Sequence, residues 1–165
     1  MDDLIWCQRD IPKEQWRYGL RSSAATGCGW VAIHNALILM GEKSDPEAII
    51  RHLEHQVPLL HGNAGTLALG PYWYFRSRGF QAKHTACSDR FDEALKEAGT
   101  GVLFYYWRNK WKFGAHFVAV QYREGKFWGY NTYKNSTGPD FYGESLEEFL
   151  KKRKYFGAVL TVVHK

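Results

Sequence analysis

The pattern of hydrophobic and polar positions changes about halfway along the chain. In the first half, residues Gly29–Met40 are apolar nearly all round, which predicts a buried central helix. The segment Ser44-Asp45-Pro46 then supplies a capping residue and a proline that a helix tolerates in its first turn, and an amphipathic helix follows. Residues 62–79 predict a third, poorer helix, which Pro71 interrupts.

In the second half, short stretches of alternating or strongly apolar residues predict strands. Two of these stretches are joined by Glu124-Gly125 and predict a plain hairpin. A helix is expected after Ser88, and another after Ser145, where Glu148 completes a capping-box pattern. The predicted strands are residues 80–86, 101–108, 115–123, 126–133 and 158–163. We therefore predict an α+β fold with an N-terminal helical half and a C-terminal antiparallel sheet half.

Composition narrows the class of protein. The 165 residues, 45% of them hydrophobic, predict one domain covering 1–165. The start of the chain lacks the pattern of a signal peptide, and the longest apolar run, Val102–Trp107, is too short to cross a membrane. Three widely spaced cysteines indicate reduced thiols, so we expect a cytoplasmic protein without a disulfide framework. The net charge of +5 permits an acidic partner without requiring one.

Cys28 is the first candidate for chemistry. It stands between Gly27 and Gly29 at the start of the predicted central helix. A helix N-terminus favours a thiolate, and glycines leave room for a substrate backbone. A buried cysteine that only fills space would need neither feature. Cys28 is therefore a candidate nucleophile, provided that a base reaches it from elsewhere in the chain.

His116 is the best candidate for that base among seven histidines. It opens a predicted strand directly after Gly114-Ala115, which places its side chain at the rim of a sheet. The hairpin at Glu124-Gly125 pairs residues whose numbers sum to about 249, so Asn131 returns close to His116. An amide at that place can accept the imidazole N–H and fix its tautomer.

The three motifs together resemble the papain-like cysteine peptidases, most of all the bacteriocin-processing, double-glycine-leader peptidases. The motifs are "GCGWVAIHNALILMG" around Cys28, "GAHFVAV" around His116 and "GKFWGYNTY" around Asn131. Their order and spacing match that family over nearly the whole chain. The resemblance implies a papain-like fold, a Cys28–His116–Asn131 triad, a peptide or protein substrate and no cofactor or metal.

The chain departs from the family at two places. The family usually has an aspartate as its third catalytic residue, where this chain has Asn131. The family also has a glutamine about six residues before the cysteine, which helps to form the oxyanion hole, whereas this chain has Ser22. Gln15 is the nearest upstream glutamine, so Ser22 and Gln15 are the alternative candidates for that donor.

The implied activity is hydrolysis of an amide bond through a thioester. Cys28 would attack the carbonyl carbon as a thiolate paired with an imidazolium at His116, and Asn131 would orient His116. We expect substrate contacts at Gly29, Trp30, Gly114 and Trp111. The alternative is a catalytically weak or inactive papain-like module that binds a peptide, because the usual oxyanion glutamine is missing.

Other chemistries have weaker support in the sequence. The pairs His52/His55 and His84/Cys87 have spacings found in metal sites, but nothing joins the two pairs, so we expect no metal. The stretch "FYYWRNKWKF" could stack on single-stranded nucleic acid, but a core strand followed by a loop beside His116 accounts for it better. The run "KKRK" at residues 151–154 is expected to be the solvated end of a helix.

Overall fold

The computed structural model describes residues 3–56, 65–109 and 112–164. Six α-helices and two short 3-10 helices lie within these ranges. The α-helices are α1 Ser23–Thr26, α2 Cys28–Leu39, α3 Pro46–His55, α4 Gly70–Ser77, α5 Phe91–Ala98 and α6 Leu146–Lys152. The 3-10 helices are Gln8–Asp10 and Ser88–Arg90.

The strands form a two-stranded ribbon and a six-stranded sheet in which every neighbouring pair is antiparallel. The order in the large sheet is β3-β8-β4-β5-β6-β7, and the ribbon pairs β1 with β2. The strands are β1 Arg17–Tyr18, β2 Arg21–Ser22, β3 Gln81–Thr85, β4 Thr100–Asn109, β5 Lys112–Arg123, β6 Lys126–Tyr130, β7 Asp140–Gly143 and β8 Tyr155–His164.

The large sheet carries helices on both faces. Alternation along β5 explains this, because Phe117 and Ala119 point to one face while Val118 and Val120 point to the other. The first face packs against α2, α3 and α4, and the second face packs against α5 and α6. The predicted α+β class with a segregated antiparallel sheet is confirmed.

Local sequence signals account for the helix starts. The Asp45 carboxylate accepts the backbone N–H of Ala48 at 3.2 Å and caps α3, and the Ser145 hydroxyl accepts that of Glu148 at 3.3 Å and caps α6. Helix α2 is buried along almost its whole length and begins at Cys28 as predicted. No helix in the described ranges is both long and apolar enough to span a bilayer.

The third helix differs from its prediction. Residues 65–69 are not helical and α4 begins at Gly70, so Pro71 lies in the first turn, where its missing N–H costs nothing. Pro71 therefore helps to start this helix and does not interrupt it. The predicted start at residue 62 lies outside the described residues.

Candidate active site

Cys28 lies at the N-terminus of α2, where the helix meets β5 of the sheet. Its side chain is half-buried. Burial raises the pKa of the Cys28 thiol, and hydrogen bonding from the backbone of Phe117, of Gly29 and of Cys28 itself opposes that rise. Because Phe117 follows His116 directly, the thiol lies against the strand that carries the predicted base.

His116 is also half-buried, and its ring is held by a backbone carbonyl. The Nε2 atom lies 2.6 Å from the carbonyl oxygen of Asn131. A carbonyl oxygen only accepts, so Nε2 carries the proton in the neutral ring and Nδ1 keeps its lone pair. Burial lowers the pKa of His116, the Asn131 carbonyl opposes this, and the positive charge of Arg153 lowers the pKa further.

Asn131 meets His116 through its main chain, which corrects the prediction that its amide side chain would accept the imidazole N–H. The side-chain Oδ1 accepts the backbone N–H of Gln8 at 2.8 Å, and Nδ2 donates to Gln8 Oε1 at 3.1 Å. Asn131 has a φ of 65°, in the left-handed region that asparagine tolerates better than most residues. An asparagine at this position therefore does two things: it adopts the left-handed backbone conformation, and its side chain anchors Gln8.

The pKa shifts of Cys28 and His116 oppose the formation of the predicted ion pair. Burial raises the pKa of Cys28 and lowers that of His116, so both shifts favour a neutral thiol beside a neutral imidazole. The N-terminus of α2 stabilises a negative charge by about 0.3–1 kcal/mol, which is less than the typical cost of burying an unpaired charge. In this arrangement the proton would leave the thiol during attack and not before it.

A cleft of about 700 Å³ opens beside His116. Its walls come from the N-terminal segment, from helix α1, from β4 and β5, from the segment that follows β6 and from the residue that follows α6. The lining residues are Cys7, Gln8, Arg9, Ala24, Ala25, Trp107, Ala115, His116, Asn131, Thr132, Tyr133, Lys134, Asn135 and Arg153.

The two proposed oxyanion donors lie apart from this cleft. Gln15 is exposed and lines a separate cavity of about 380 Å³ together with His34. Ser22 ends β2 and precedes α1, and its hydroxyl makes no capping bond to that helix. The glutamine that lines the cleft is Gln8, whose Nε2 donates to the carbonyl of Ala24 at 3.2 Å.

Protein atoms fill the space beside the glycines around Cys28. This corrects the expectation that these glycines leave room for a substrate. A Cβ on Gly29 would lie 2.1 Å from Thr66 Oγ1, and one on Gly27 would lie 2.5 Å from the carbonyl oxygen of Ser23. The Trp30 side chain is fully buried, and its indole N–H donates to Ser23 Oγ at 3.0 Å. Gly29 and Trp30 therefore pack the base of α2, and the Trp30 ring cannot contact a peptide.

Gly114 shapes the cleft indirectly. A Cβ at Gly114 would lie 2.4 Å from the ring of Trp107, so the glycine lets that indole lie across β5 and form a wall of the cleft. Trp111, the remaining predicted substrate contact, lies outside the described residues.

The structure adds two cleft residues that the sequence pattern did not reveal. Gln8 is 20 residues from Cys28 in a segment without hydrophobic periodicity. Arg153 is part of the "KKRK" run that predicts a solvated helix end, but it is half-buried and lines the cleft. Its neighbours Lys151 and Lys152 are exposed as expected. No group of metal ligands is present in the described part of the chain.

Comparison with known proteins supports the fold. No protein-family model matches this chain, and no curated protein matches it. The chain is similar to the crystal structure of the peptidase domain of Streptococcus ComA, a bifunctional ABC transporter involved in a quorum-sensing pathway. The TM-score is 0.55 at 13% sequence identity, over 86% of this chain and 93% of that domain.

A second similar structure comes from Bacillus anthracis and is described as a C39-like peptidase. It has a TM-score of 0.45 at 12% identity, over 98% of this chain and 96% of the other. The chain shares its fold with the peptidase domain of Streptococcus ComA.

Proposed function

We propose that the protein is a thiol hydrolase that cleaves peptide bonds through a thioester on Cys28. The fold of a peptidase domain supports a peptidase-type function in general. The observation that carries the specific proposal is the place of the Cys28 thiol at the start of α2, against the backbone of Phe117 on β5, the residue that directly follows His116.

His116 supplies the base in this mechanism. Its Nδ1 takes the proton of the Cys28 thiol while the sulfur attacks the carbonyl carbon of the scissile bond. The backbone N–H of Cys28, at the first turn of α2, stabilises the oxyanion. Nδ1–H then protonates the leaving amine, the C–N bond breaks and a thioester remains. Water, deprotonated by Nδ1, attacks the thioester and releases the acid and the free thiol.

Asn131 and Gln8 hold His116 in place. The Asn131 carbonyl keeps the proton on Nε2, and Gln8 ties Asn131 to helix α1 through its bond to Ala24. The segment around Gln8 therefore connects the residue that holds the base with the short helix that directly precedes the nucleophile. Gln8 acts as a positioning residue.

A randomised synthetic peptide library tests the proposal without a known substrate. Products are identified by mass spectrometry after incubation with the wild type, with Cys28→Ala and with Cys87→Ala, whose cysteine is exposed. We expect cleavage by the wild type and by Cys87→Ala, and none by Cys28→Ala. Equal cleavage by Cys28→Ala, or no cleavage by any form, would contradict the proposal.

A peptide-binding module without turnover is the second candidate. The shifts that favour a neutral Cys28 and a neutral His116 support it, because a neutral thiol is a poor nucleophile. It predicts that the wild type and Cys28→Ala enrich the same peptides from the library and that neither changes them. A thioester adduct of Cys28 detected by mass spectrometry would exclude it.

A further inference from the structure

The charged residues that line the cleft all have the same sign. Among its described lining residues, Arg9, Lys134 and Arg153 are cations, and none is an aspartate or glutamate. A cleft with walls of one charge attracts ligands of the opposite charge. The ligand that enters beside His116 is therefore expected to carry negative charge.

Arg153 is the cation that is built into the wall. Its guanidinium carbon lies 4.9 Å from the ring centre of Tyr133 and 6.0 Å from that of Trp107, at distances typical of cation–π contacts. The ion pairs found among the described residues join Arg123 to Glu124 and Lys151 to Glu147, so neither neutralises Arg153.

Arg153 also lies on the imidazole side of the site. Burial lowers the pKa of His116, and the charge of Arg153 lowers it further. Burial raises the pKa of Tyr105 to about 12, and the charge of Arg153 opposes that rise. Tyr105 pairs with His116 across β4 and β5. In the proposed mechanism the imidazole protonates the leaving amine, so the product that departs as an amine occupies this side. The orientation rests on the proposed function.

We propose that Arg153 binds a carboxylate on the leaving-group side of the scissile bond, so that the preferred substrates are acidic peptides. An arginine suits this task because its planar guanidinium can pair with both oxygens of a carboxylate. Stacking on aromatic rings fixes the orientation of the guanidinium. The carboxylate has two sources, an aspartate or glutamate side chain or the C-terminus of the peptide.

A binding experiment with defined peptides tests this inference separately from turnover. Immobilised Cys28→Ala protein is equilibrated with a randomised, N-acetylated hexapeptide library, prepared once with a free C-terminal carboxylate and once as the C-terminal amide. Bound peptides are sequenced by mass spectrometry. We compare two double variants, Cys28→Ala/Arg153→Gln and Cys28→Ala/Lys152→Gln. The second is the control, because Lys152 is exposed and its substitution removes the same charge from the same helix end.

We expect about tenfold enrichment of carboxylate-bearing peptides, the effect of one charge-assisted hydrogen-bonded pair. Enrichment of aspartate- or glutamate-containing peptides in the amide library assigns the carboxylate to a side chain. About tenfold greater total retention of the free-acid library than of the amide library, without enrichment of acidic residues, assigns it to the C-terminus. Arg153→Gln should abolish the preference and Lys152→Gln should retain it. The inference would be overturned if acidic residues were not enriched and the free-acid library were retained no better than the amide library, or if either preference survived Arg153→Gln.

The two proposals fail separately. Cleavage by the wild type with no preference for acidic residues or for a free C-terminus would retain the hydrolase and exclude this role of Arg153. Acidic enrichment by Cys28→Ala without any cleavage by the wild type would retain the carboxylate site and exclude the hydrolase. Cleavage products in which the C-terminal fragment, the one that leaves with the new free amine, contains the carboxylate-bearing residue would support both.

Discussion

The protein holds two histidine–asparagine pairs that differ in one respect. His34 and Asn35 lie within α2, and His116 and Asn131 lie at the cleft. Both asparagines fasten the N-terminal segment: Asn35 bonds the N–H and the C=O of Ile5 at 2.8 and 2.9 Å, as Asn131 bonds Gln8. The anchoring of that segment is common to both pairs.

The histidines use their ring nitrogens differently. His34 is 3% exposed, with Nδ1 2.7 Å from Ser44 Oγ and Nε2 3.0 Å from the carbonyl of Asp3. His116 is half-buried, and the hydrogen bond described for it uses Nε2. An imidazole with both nitrogens hydrogen-bonded stabilises a fold, whereas an imidazole nitrogen with a free lone pair can take a proton. In the proposed mechanism, this contrast separates a histidine that stabilises the fold from one that takes part in chemistry.

The largest expected effect separates the two histidines by activity. His116→Gln should lower turnover of a library-derived substrate by about 10²–10⁴-fold, because it removes a general base. His34→Gln should leave turnover within about twofold but lower the free energy of unfolding by about 1–3 kcal/mol, because it leaves buried partners unsatisfied. Steady-state kinetics and urea unfolding measure the two effects, and an active His116→Gln enzyme would end the contrast.

The pH dependence of thiol alkylation tests whether the pair is neutral. Burial raises the pKa of Cys28, so its thiolate fraction is small at neutral pH and grows about tenfold per pH unit. Iodoacetamide should therefore label Cys28 more slowly than the exposed Cys87 at pH 6 and at pH 7. Peptide mapping by mass spectrometry measures both rates in one sample. Faster labelling of Cys28 at pH 6 would indicate a preformed thiolate–imidazolium pair.

Turnover should have an acid limb below the ordinary pKa of histidine. The neutral ring is the base, and burial lowers the pKa of His116, so the active form persists as the pH falls below about 6.5. Activity is then lost as the pH falls through the depressed pKa. A pH profile of kcat/KM checks this, and an acid limb centred above 6.5 would contradict it.

The smallest expected effect separates the asparagines. Asn35→Ala should cost about 1–3 kcal/mol of stability through two lost hydrogen bonds and leave turnover unchanged. Asn131→Ala should cost a similar amount plus about 1 kcal/mol for its left-handed backbone, and should also lower turnover.

Asn131→Gly is the matched control for the Asn131 carbonyl. Like Asn131→Ala, it keeps the main-chain carbonyl that holds His116, but glycine adopts the left-handed backbone conformation without strain. We expect its turnover to exceed that of Asn131→Ala. If Asn131→Gly loses as much activity as His116→Gln, the side chain and not the main chain orients the imidazole.

Much of the fold could be predicted because its signals are local. The apolar stretch beginning near Cys28 gives α2, the caps at Asp45 and Ser145 give two helix starts, and the Glu124-Gly125 turn fixes the hairpin register. Ala119 pairs with Tyr130, as the expected sum of 249 requires. This register correctly places residue 131 at the end of the hairpin that carries His116.

The rest could not be predicted because it depends on contacts between distant segments. Asn131 turns its side chain to Gln8, 123 residues away, and only the folded chain shows that partner. Thr66 fills the space beside Gly29, and Trp107 fills the space beside Gly114. The sequence shows only that two glycines stand near candidate residues. Arg153 enters the cleft because α6 ends there, which no local charge pattern reveals.

The most direct test of the reacting pair is the rate at which a peptidyl vinyl sulfone labels Cys28. This probe requires the thiol to lose its proton as the sulfur attacks and a proton to be delivered to the adduct, as the mechanism does. Cys87 in the same molecule reports unassisted chemistry. We expect His116→Gln to slow labelling of Cys28 by about 100-fold or more, and His84→Gln to leave it unchanged. Labelling of Cys28 that is equally fast in the wild type and in His116→Gln would show that the thiol and the imidazole do not work together.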